Sequence, residues 1–148
     1  MSELQELYRE VILDHRRNPR NFGVLDEPDR VVDGVNPLCG DKLKLYIKLD
    51  DDKIEDIRFQ GTGCAISVAS TSLMTERVKG ASVDEALQLQ EAIHQLLTDE
   101  GATDPAVLGK LAALGGVREF PSRVKCAALS WHALKSGLVD DGTEVSTE

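Results

Sequence analysis

Apolar positions recur along the chain in two distinct periods, and the switches between them mark out the elements. Near the start, Leu4, Leu7, Tyr8, Val11 and Ile12 fall at helical spacing. Ser2 and Gln5 are placed as a capping box, and Asn18-Pro19 should end this first helix, because a residue before proline avoids helical geometry. The stretch 30–35 reads as a short strand. Over 42–49 the period becomes two: Leu43, Leu45, Ile47 and Leu49 alternate with Lys42, Lys44, Tyr46 and Lys48, so one face is buried and the other wet. A turn at 50–53 leads into a strand over 54–61. There Ile57 and Phe59 are in phase and Ile54 is not, which calls for a bulge or a late start.

From Cys64 onward the helical period returns. Ile66, Ala69, Ser70, Leu73, Met74 and Val78 define one helix, stopped at Gly80. Ser82 and Glu85 form a second capping box ahead of Val83, Ala86, Leu87, Ile93, Leu96 and Leu97. Asp104-Pro105 opens a further helix that ends at Gly115-Gly116. A last helix begins at Pro121 or Ser122, carries Val124, Ala127, Ala128, Trp131 and Leu134, and is expected to end at Gly137. Residues 139–148 read as a flexible polar tail. Strands early and helices around and after them predict an α+β fold with an antiparallel hairpin or a three-stranded meander, in a single domain spanning 1–148.

Charge and composition narrow the function. The 148 residues carry a formal net charge of −9, which argues against nucleic acid or an anionic membrane surface as partner. No apolar stretch approaches a membrane span and no signal peptide is visible, so a cytoplasmic, thiol-reducing setting is expected. The three cysteines then point to metal binding, thiol chemistry or plain burial.

Their settings favour the first two readings. Cys39 lies in "NPLCGD", Cys64 in "GTGCAIS" and Cys126 in "RVKCAALSW". Cys64 and Cys126 fall at or near helix starts, where the dipole favours thiolate. Asp41 is two residues from Cys39, on the same side of an extended segment. Three thiolates and one carboxylate make a four-ligand set that suits tetrahedral zinc and equally an iron–sulfur assembly. With zinc the set has a formal charge of −2, which the neighbouring cations Arg123, Lys125 and Lys42 would offset. His15 reads as a surface residue, and His94 and His132 as ordinary helix residues.

In order and composition, "NPRNFG", "NPLCGD", "GTGCAISVASTS" and "RVKCAALSW" resemble the iron–sulfur cluster assembly proteins related to IscU and the N-terminal domain of NifU. The likeness covers about residues 4–137. Two departures from the IscU pattern place it nearest the SufU-type branch. Lys125 stands where IscU proteins carry histidine, and an inserted stretch of about 99–120 lengthens the connection to the third cysteine. The resemblance implies an α+β fold, a small antiparallel three-stranded sheet with helices packed on one face, and one Zn²⁺ held by Cys39, Asp41, Cys64 and Cys126. It implies a zinc-dependent sulfurtransferase that takes persulfide sulfur onto Cys39 from a SufS-type, pyridoxal-phosphate-dependent cysteine desulfurase, with Arg123 supporting that reaction. The sulfur would pass to a downstream iron–sulfur scaffold. The alternative is that the chain is itself a scaffold on which a [2Fe–2S] cluster is assembled.

Overall fold

The computed structural model describes residues 3–36, 40–98, 111, 114, 121–139 and 145–146. Helix α1 (Glu3–Arg17) leads through a loop to strands β1 (Arg30–Asn36), β2 (Asp41–Asp50) and β3 (Lys53–Thr62). Helices α2 (Ala65–Val78), α3 (Val83–Thr98) and α4 (Pro121–Val139) follow, then a two-residue strand β4 (Val145–Ser146). The sheet order is β3-β2-β1-β4. The first three strands form the expected antiparallel meander. β4 adds a short parallel pairing, Gly34 with Val145 and Val35 with Ser146, within a tail that the sequence read as flexible.

The alternation in β2 decides which face is covered. Leu43, Leu45 and Ile47 are buried and join Val32, Ile57 and Phe59 in the core against the helices. The pairing shifts between Lys48 and Leu49: Lys48 faces Asp56, Leu49 faces Ile54, and Glu55 is the extra residue. This bulge brings Ile54 into phase, and its side chain is fully buried. Burying an aliphatic side chain of this size is worth roughly 1.5–3 kcal/mol, enough to select the bulged register.

Helix α2 is buried on nearly every side by small residues, which lets α1 and α4 approach it closely. Ser70 ties α2 to α4: its hydroxyl donates to the Ala127 carbonyl at 2.6 Å and accepts from the Trp131 indole N–H at 3.1 Å. On the other side His15 of α1 is fully buried, with Nδ1 2.7 Å from the Ser72 hydroxyl. The sequence reading of His15 as a surface residue is therefore wrong. The helix runs on to Arg17 and turns His15 inward against the hydroxyl-rich α2, a polar surface that apolar periodicity does not register.

Helix α4 continues two residues beyond Gly137, which the sequence had taken as its end. A Cβ at Gly137 would sit 2.8 Å from Ile47 Cδ1 and 3.0 Å from Val32 Cγ2. This glycine serves close helix–sheet contact, not termination. The helix expected after Pro105 lies outside the described residues, apart from Leu111 and Leu114, both buried.

His94 and His132 meet where α3 packs on α4, with ring centroids 6.5 Å apart. Burial pushes the His132 pKa below 6.5, and the charges of His94 and Lys135 act the same way. The unfolded chain thus takes up a proton at this residue before the folded one does. As pH falls below about 6.5, stability should decline until the folded-state value is passed. His132→Gln should flatten that part of a Tm-against-pH curve recorded between about pH 8 and pH 5. An unchanged slope would remove His132 from the account.

Candidate metal centre

Three elements deliver one ligand group each to the same spot. Asp41 is the first residue of β2 and is 1% exposed. Cys64 is the N-cap of α2, separated from the end of β3 by Gly63 alone. Cys126 lies in the second turn of α4 and is 0% exposed. One ligand atom from each of Asp41, Cys64 and Cys126 lies within 4.8 Å of the other two.

Local chemistry fixes each of them. The Cys64 thiol takes the place usually held by a serine or aspartate cap, accepting from the Ser67 N–H at 3.4 Å. That puts the sulfur at the positive end of α2. The Cys64 N–H donates to Asp41 Oδ1 at 2.8 Å, and Cys64 Sγ is 3.8 Å from Asp41 Oδ2. Gly63, at φ 150°, makes this approach feasible, because a Cβ there would fall on the Asp41 carboxylate. Across the meander, Asn36 pairs with Asp41 in the β1–β2 register, and its Nδ2 donates to Cys126 Sγ at 3.7 Å.

Two thiols and a carboxylate suit a borderline-soft divalent ion such as zinc. Bonds of about 2.0–2.3 Å in a tetrahedron place ligand atoms at most about 3.8 Å apart. The Cys64 Sγ–Asp41 Oδ2 pair, at 3.8 Å, is already close to that, and small side-chain rotations would draw in this pair and the wider members. Cys39 lies outside the described residues, in the connection that leads to Gly40 and Asp41. Arg123 belongs to the first turn of α4, and its side chain is also outside them. Asn36 is the residue that sequence reasoning passed over. It opens the NPLCGD motif, but an asparagine before proline reads as turn chemistry and carries no sign of a sulfur contact ninety residues away.

The geometry defines a class of protein: an α+β domain whose strand and helix ends assemble a thiol–carboxylate centre able to hold a metal ion. Comparison with known proteins makes this particular. The chain belongs to the NifU-like N terminal domain family, which matches residues 7–127. It is 46% identical over 140 residues to the zinc-dependent sulfurtransferase SufU of Bacillus subtilis, covering 95% of each chain. It is 44% identical to the iron–sulfur cluster assembly scaffold protein IscU of Streptococcus pyogenes, covering 93% of this chain and 86% of that one. An iron–sulfur cluster assembly scaffold protein for the SUF system from Fervidobacterium islandicum AW-1 has a crystal structure of the same fold. Its TM-score is 0.84 at 36% identity, over 90% of this chain and 98% of that one. Among the described residues no helix is long and apolar enough to cross a membrane.

Proposed function

We propose that this protein is a zinc-dependent sulfurtransferase in iron–sulfur cluster assembly, accepting sulfur from a pyridoxal-phosphate-dependent cysteine desulfurase of the SufS type. The observation that carries this reading is the convergence of Asp41, Cys64 and Cys126 on one point. Cys39, two residues from Asp41, completes a four-ligand set. Bound zinc would keep these thiols deprotonated and protected from oxidation. Lys125, in the place of the histidine of the IscU pattern, supports the sulfurtransferase over the scaffold.

Cys39 is the acceptor in this reading. Its thiolate attacks the outer sulfur of the desulfurase persulfide. The S–S bond of that persulfide breaks, a new one forms on Cys39, and the desulfurase cysteine is left as thiolate. Gly40, at φ 71°, gives the acceptor loop a backbone state that other residues seldom adopt. Asp41 keeps its hydrogen bond to the Cys64 N–H and holds the rest of the centre in place. Arg123, in the opening turn of α4, is assigned to the desulfurase encounter.

The test combines metal analysis of protein purified without oxygen with desulfurase turnover. About one zinc per chain and little iron are expected. Cys39→Ala should lose the persulfide, read by mass spectrometry, together with stimulation of the desulfurase. Stimulation that survives Cys39→Ala would replace the acceptor by a non-catalytic regulator. Iron with acid-labile sulfide would make the chain a cluster scaffold.

A further inference from the structure

We propose that Asn36 is a positioning residue for the metal centre, holding the Cys126 thiolate by an amide N–H···S hydrogen bond and tuning its donor strength. The proposal rests on the zinc reading above and extends it to a residue outside the ligand set.

Asn36 is the last residue of β1 and is 0% exposed. A buried primary amide is costly unless its groups are matched. Its Nδ2 points at Cys126 Sγ, itself 0% exposed, at 3.7 Å. A thiolate only accepts, and an amide N–H is a donor that brings no charge. A carboxylate at position 36 would repel the sulfur, while an ammonium would compete with the metal for it.

The other two described ligand groups have matching donors. Ser67 N–H serves Cys64 Sγ, and Cys64 N–H serves Asp41 Oδ1. Those donors belong to the backbone and persist through most substitutions, whereas Asn36 offers Cys126 a side-chain donor that a substitution removes. Asn36 also sits opposite Asp41 in the sheet register, so one strand pair positions a ligand and the partner of another. An N–H···S bond withdraws electron density from a thiolate. It lowers the energy of the sulfur lone pairs and moves sulfur-to-metal charge transfer to shorter wavelength.

The experiment uses the full chain loaded with Co²⁺, in wild type, Asn36→Leu and Asn36→Ala. Leucine keeps the branched heavy-atom outline of asparagine and alanine does not, but both remove the donor. In both variants the sulfur-to-cobalt charge-transfer band should move to longer wavelength while the tetrahedral d–d bands persist. Zinc affinity measured by chelator competition should fall about 10- to 100-fold. A band that stays in place in both variants, or moves only in the smaller one, overturns the role. A measurement needing no variant stands beside it. In wild type loaded with ¹¹³Cd²⁺, scalar coupling should connect the metal to the Asn36 side-chain N–H, and its absence equally overturns the proposal. A wild-type chain that takes up no Co²⁺, Cd²⁺ or Zn²⁺ would instead remove the zinc reading, and this role with it.

Discussion

Cys126→Ser should empty the metal centre and leave the fold standing. Zinc content, measured after gel filtration, is expected to fall from about one per chain to a trace. The serine has nearly the same shape as the cysteine, so the packing of α4 against β1 and α2 survives. Metal bound only to the folded state stabilises it by about 4 kcal/mol when free zinc is a thousandfold above Kd. For a chain of this size each kcal/mol moves Tm by about 2–4 °C. The zinc-loaded wild type should therefore melt roughly 8–16 °C above the variant. The chelator-treated wild type should melt close to it. Zinc retained at one per chain in Cys126→Ser would remove this residue from the ligand set. An equally large Tm gap between the two metal-free proteins would mean that position 126 serves packing alone.

Local pattern carried the fold because β1, β3 and, apart from the buried Tyr46, β2 each keep one face more exposed. The leucine–lysine alternation of β2 can be satisfied in one orientation, and the misplaced Ile54 announced the bulge at Glu55. Helix starts were equally legible: the Ser82 hydroxyl accepts from the Glu85 N–H at 3.1 Å, as its spacing required. Residues whose meaning depends on a partner distant in sequence were misread. Gly137 looks like a stop until Ile47 and Val32 are seen beneath it. His15 looks solvated until Ser72 is placed beside it. The pairing of Val145 with Gly34 joins the tail to the first strand and follows from no periodicity.

The centre divides in the same way. Glycine-bounded cysteines and a nearby aspartate mark themselves in sequence, because a core cysteine needs no special backbone around it. Asp41, Cys64 and Cys126 do lie together, and Cys39 lies outside the described residues. The groups that hold the ligands are invisible in sequence. One is the backbone N–H of Ser67, which any residue but proline would supply. Another is Asn36, separated from its sulfur by most of the chain. Asp41 and Cys64 are also set at element ends, where the backbone N–H groups of Ser67 and Cys64 are turned toward sulfur and carboxylate.

Those tight ends make Gly63 the most sensitive backbone position in the centre. Gly63→Ala should cost roughly 2–4 kcal/mol and abolish metal binding, although no ligand is changed. Two effects add. The residue sits at φ 150°, where a side chain is strained. Its Cβ would also lie 2.8 Å from Asp41 Cγ and 3.0 Å from Asp41 Cα, with backbone on one side of the clash. The side chain of Asp41 cannot step aside without giving up the Cys64 N–H and its place beside Cys64 Sγ. Gly23 separates the two effects. Its φ is 139°, yet a Cβ there meets nothing within 4 Å. Gly23→Ala should therefore show backbone strain alone, about 1–2 kcal/mol, with zinc content unchanged. Denaturant titration of both variants, with zinc analysis of each, decides the matter. Equal destabilisation and equal zinc would assign the whole effect to φ. Zinc lost in Gly63→Ala alone would show that the carboxylate of Asp41 must stay where the glycine leaves room for it.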